Sequence, residues 1–66
     1  MSNSCIDKED KNRINMILCD IKDNMNAIEM EIQKDNSYKT YLNEKLSNVI
    51  TDVHCLNSIF KEDEEE

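Results

Sequence analysis

His54 and Cys55 stand side by side, and two further thiols, Cys5 and Cys19, lie upstream. Imidazole and thiolate are zinc ligands and partners in nucleophilic catalysis, so these four residues are where chemistry would be sought first. On a helix, the neighbours of His54 three and four positions away are Ile50, Thr51, Asn57 and Ser58, which supply no second ligand. A catalytic cysteine would want both a base and an oxyanion site, and none of the three shows that combination or a C-x-x-C partner. Acid–base work by the abundant carboxylates would need a dehydrated cleft to shift their pKa values. With no glycine anywhere, phosphate-cradling loops and dinucleotide fingerprints are excluded. No catalytic, metal-binding or cofactor-binding residue is therefore assigned, no cofactor is expected, and the protein reads as a non-enzyme.

The elements available to position any site are limited. Sixty-six residues allow one small domain, and the absence of both Gly and Pro disfavours folds with many tight turns. A net charge of -7 argues against direct nucleic-acid binding. Four of those negative charges belong to the tail Lys61–Glu66, which reads as a disordered acidic end over 61–66. The longest apolar run, Met16-Ile17-Leu18-Cys19, is too short to enter a membrane as a span. Met1–Asp7 carries no apolar stretch of the kind that directs export, so free thiols in the cytoplasm or nucleus are expected.

One pattern dominates. Ile14, Ile21, Ile28, Asp35, Leu42, Val49 and Leu56 recur every seven residues. Leu18, Met25, Ile32, Lys39, Leu46, Val53 and Phe60 form a second series four residues on. Calling these series d and a, twelve of the fourteen positions are apolar, the signature of a coiled coil or long-helix bundle. The fold class is all-α. The twelve apolar residues are the expected partner interface, and Asp35 with Lys39, an i,i+4 acid–base pair, is the expected register layer.

The helix ends are also marked. Ser4 is placed to cap, within an N-terminal cap over 1–4, and Asp7, Glu9 and Asp10 suit the positive end of the helix dipole. A heptad helix is expected over 5–60, with the seam ending at Phe60. Conserved phase across the polar interruption favours one long α-helix. The alternative is a helical hairpin broken near residues 34–38, where Lys34-Asp35-Asn36-Ser37 contains helix competitors and Asn36 or Ser37 can cap a second helix.

The flanks bear on partner number. Ile17, Tyr38 and Ile59 at g and Ile50 at e widen the apolar stripe, while charged e and g positions are few. Such a stripe suits a bundle of three or more helices better than a two-stranded zipper. Met25 reads as core filling, and Tyr38 as an interface candidate.

The alternation of apolar layers around a central polar layer resembles a membrane-fusion SNARE motif, with Asp35 standing where that family has Gln or Arg. Leu42-Asn43-Glu44-Lys45-Leu46 resembles a stretch of the small brick-type subunit of the actin-regulating WAVE complex. More broadly, the chain is similar to short acidic heptad subunits of kinetochore, microtubule-associated and vesicle- or organelle-tethering complexes. These resemblances imply a structural subunit that gives a heptad helix to a hetero-oligomeric coiled-coil complex, with other coiled-coil chains as partners. A self-assembling homo-trimer or tetramer, and a helical adaptor or inhibitor docking in a partner groove, are the other readings.

Overall fold

The computed structural model describes residues 5–61, and these form two helices, α1 over Lys8–Ile32 and α2 over Lys39–Phe60. The all-α class holds, and of the two architectures it is the hairpin: the chain folds back so that α2 packs along α1. A continuous helix over 5–60 is not formed. Phase conserved from Ile28 to Leu42 does not require helix between them, because each helix carries its own apolar period and the turn only has to join them.

Helix α1 begins where side-chain chemistry allows. Asp7 has extended backbone, and its Oδ1 accepts the Asp10 amide at 2.8 Å, filling one of the orphan donors of the first turn. Glu9 and Asp10 follow in that turn, where the helix dipole favours anions, and Arg13 reaches Asp10 at 3.6 Å. The capping role expected of Ser4 lies outside the described residues, as does most of the acidic tail. Helix α2 ends at Phe60, the last apolar seam position, and Lys61 is already extended.

The turn between the helices is tied by one side chain. Glu31 is among the two most buried residues, at 5% exposed. Its carboxylate accepts the Tyr38 amide at 3.0 Å, and Lys34 Nζ lies 3.1 Å from its other oxygen. Its carbonyl oxygen accepts the Ser37 hydroxyl at 2.6 Å. Tyr38, the N-cap of α2, makes no side-chain cap of its own, so α1 supplies the anion that α2 needs at its positive end. These bonds hold the Glu31 carboxyl below its ordinary 4.5, the Tyr38 amide first and the Lys34 ammonium second. The turn needs no positive φ, which is how a chain without glycine can make it.

The pair is a thin slab, 51 × 24 × 14 Å. Fourteen ångströms is little more than one helix diameter, so there is one layer and no second one to close a core over it. Among the described residues no apolar side chain is buried.

Candidate partner-binding face

The two heptad series part company in three dimensions. Ile14, Ile21, Ile28, Leu42, Val49 and Leu56, the d series, are all half-buried between the helices. They are joined there by Ile17 and Ile59, two of the g residues that widen the stripe. The inner edge of each helix is therefore d with g. The a series stands to one side of that edge: Leu18, Met25, Ile32, Leu46, Val53 and Phe60 are exposed by 40 to 57%. In an antiparallel pair joined by d and g, the a positions of both helices fall on the same side of the slab, here termed the front.

The grooves on the surface confirm that placement. One is lined by Ile21, Lys22, Met25, Asn26, Ile28 and Glu29 on α1. A second bridges the helices, lined by Ile28, Ile32 and, from the start of α2, Lys39, Thr40, Leu42, Asn43 and Leu46. Ile28 belongs to both, so the depressions form one continuous apolar trough along the front. The back carries Asp20, Ala27, Lys34, Tyr41 and Asn48 at c, and its hollow is lined by charged and polar groups with Ala27, Met30 and Tyr41. Lys45 leans over the Tyr41 ring on that side, 5.2 Å from its centroid.

Asp35 and Lys39 do not make a layer within one helix. Asp35 lies in the turn and Lys39 is the first residue of α2. The polar layer that does cross the hairpin lies elsewhere. Asn24, 7% exposed, donates to the Asp20 carbonyl at 2.7 Å and to its carboxylate at 3.1 Å. Its own Oδ1 accepts from Asn48 Nδ2 of α2 at 3.1 Å. One turn away Asp52 faces Asp20, and its Oδ2 is buried without a partner. The neighbouring Asp20 carboxyl first, and partial burial second, hold the Asp52 carboxyl above its ordinary 3.8. Pairing the heptads as a with d hid this layer, because Asn24 and Asp52 are g residues; the apolar Ile17 and Ile59 at g are the signal that points to it.

His54, Cys5, Cys19 and Cys55 are all exposed, and the thiols are free. Among the described residues no three His, Cys, Asp or Glu side chains are grouped to hold a metal ion. No helix among them is long and apolar enough to cross a membrane. No protein-family model, curated protein or solved structure matches the chain.

Proposed function

We propose that this protein is a non-enzymatic interaction subunit, a two-helix half of a larger helical bundle whose missing layer is supplied by helices from outside the hairpin. The observation that carries this reading is the front trough. Six large apolar side chains, from Leu18 to Phe60, line one side of a hairpin that buries no apolar residue of its own. Contiguous apolar surface rimmed by polar groups marks a protein-binding face. Helix in groove is the recognition mode it fits, with anchors at heptad spacing. The bundle assigns the two heptad series different tasks: d with g closes the hairpin, and a receives the incoming helices. Three exposed thiols fit a reducing compartment, the cytoplasm or nucleus.

The test is site-specific crosslinking in the protein's native cells. A photoreactive residue at Leu46, in the trough, should give a discrete covalent adduct. The same residue at Met16, 73% exposed but off the front, should give none. Absence of an adduct from Leu46, or equal adducts from both sites, overturns the reading.

A further inference from the structure

We infer that the occupant of the front trough is a second copy of this chain, seated antiparallel so that two hairpins complete a four-helix bundle. This rests on the interaction reading above and names its partner. Two observations carry it: the register of the two helices and the distribution of charge.

A two-fold interface requires each residue to meet its mate through one axis. On α1 the apolar anchors Leu18, Met25 and Ile32 are evenly spaced. An axis at Met25 therefore sets Met25 against Met25 of the second copy, Leu18 against Ile32, and Ile32 against Leu18. The Asn48–Asn24 hydrogen bond fixes which part of α2 lies level with that axis. One residue on from this pair, Met25 is level with Ser47, beside Leu46. The same axis thus sets Leu46 close to Leu46 of the second copy. A single symmetry operation seats both helices, with an apolar layer at its centre.

Charge on the front points the same way. Lys22 and Glu29 border the trough on either side of Met25 and are exposed, and neither makes an ion pair among the described residues. In the antiparallel arrangement Lys22 of each copy lies beside Glu29 of the other, giving two opposite-charge pairs at the rim. Lys39 is the remaining charge lining the trough. The charged residues lining the trough are thus two lysines and one glutamate, so two copies can meet there without opposing the negative excess of a chain that carries -7. A foreign partner selected by that excess would be basic, and the front offers it a single carboxylate.

Sedimentation equilibrium of the purified, reduced chain from micromolar to millimolar concentration tests this, with circular dichroism on the same samples to separate lost association from lost folding. The wild type should be a dimer with a concentration-dependent monomer. By symmetry each charge reversal is felt twice, so K22E and E29K should each weaken dimerisation roughly 10-fold. The double variant K22E/E29K should restore it to within about 3-fold of wild type. A wild type monomeric throughout, an assembly larger than a dimer, or a double variant no better than the singles overturns the second-copy assignment. The Leu46 crosslink then judges the interaction reading separately: an adduct of twice the chain mass supports both. An adduct of any other mass keeps the interaction and overturns the second copy.

Discussion

The inner edge and the front of this hairpin are built from the same residue types at the same spacing, yet they end in different environments. Along the inner edge Ile14, Ile21 and Ile28 oppose Leu42, Val49 and Leu56, and all six are half-buried. Along the front Leu18, Met25, Ile32, Leu46, Val53 and Phe60 are exposed and oppose nothing among the described residues. The difference teaches that a heptad repeat states how much apolar surface a helix must cover, and not how many partners cover it. Two helices can satisfy only one edge of each other, so a stripe wide enough for a bundle leaves a second edge open when just two helices are at hand.

The comparison can be broken most severely at the inner edge. Val49→Asp puts a charge between the helices where nothing compensates it, and should cost at least about 2 kcal/mol. Its expected result is loss of helicity at every concentration by circular dichroism. On the front, Leu46→Gln combined with Val53→Gln should leave the hairpin helical at concentrations where association has been lost. Association should weaken by roughly 10-fold or more, read by sedimentation. If the front pair unfolds the chain as Val49→Asp does, the two edges are not functionally distinct.

The polar layer sharpens the inner edge in the opposite sense. Asn24→Leu with Asn48→Leu removes a hydrogen-bonded pair of which Asn24 is buried and Asn48 exposed, and should raise stability by up to about 1 kcal/mol, read from the denaturation midpoint. Asn24→Ala alone removes the hydrogen bonds to Asp20 and from Asn48 and should lower it by about 1 kcal/mol. A destabilised double variant would show that the layer does more than fix register.

The smallest effects are in pH dependence, where two carboxyls act with opposite sign. Asp52 sits above its ordinary 3.8 because of the Asp20 carboxyl and partial burial. The folded chain therefore binds a proton there before the unfolded chain does, and stability rises as pH falls through the folded value. Glu31 sits below its ordinary 4.5 because it holds the Tyr38 amide and Lys34. Its contribution is full above 4.5 and is lost as pH falls through the lower, folded value. Stability should therefore climb on mild acidification and drop on strong acidification. Urea titrations across pH should show Asp52→Asn removing the climb and Glu31→Gln removing the drop.

Much of this architecture is legible in the residues. The all-helical class, the first-turn acids Glu9 and Asp10, the end at Phe60 and the membership of both apolar series follow from spacing alone. The break is written at Asp35, Asn36 and Ser37, but its weight against a continuous rod depends on Glu31 capping the far helix, seven residues away at Tyr38. A tertiary bond of that kind leaves no periodic trace. The same holds for the polar layer: Asn24 and Asn48 are ordinary polar residues until the hairpin brings them within 3.1 Å. Asp35 lies in the turn and Lys39 opens α2, so both interrupt the repeat where the helices break, and a helix break and a selector layer interrupt a repeat in the same way.

The central claim is that the chain folds back on itself and thereby creates a front. The native thiols report on this directly. After Cys5→Ser, spin labels on Cys19 and Cys55, diluted with unlabelled chain so that one molecule is read at a time, give their separation by pulsed electron resonance. In the hairpin Cys55 is level with Ile17, two residues from Cys19, so the labels should lie within about 25 Å, given an interaxial distance of about 8–10 Å. A separation near ~54 Å, the length of 36 helical residues, would mean an unbroken rod and would contradict the account.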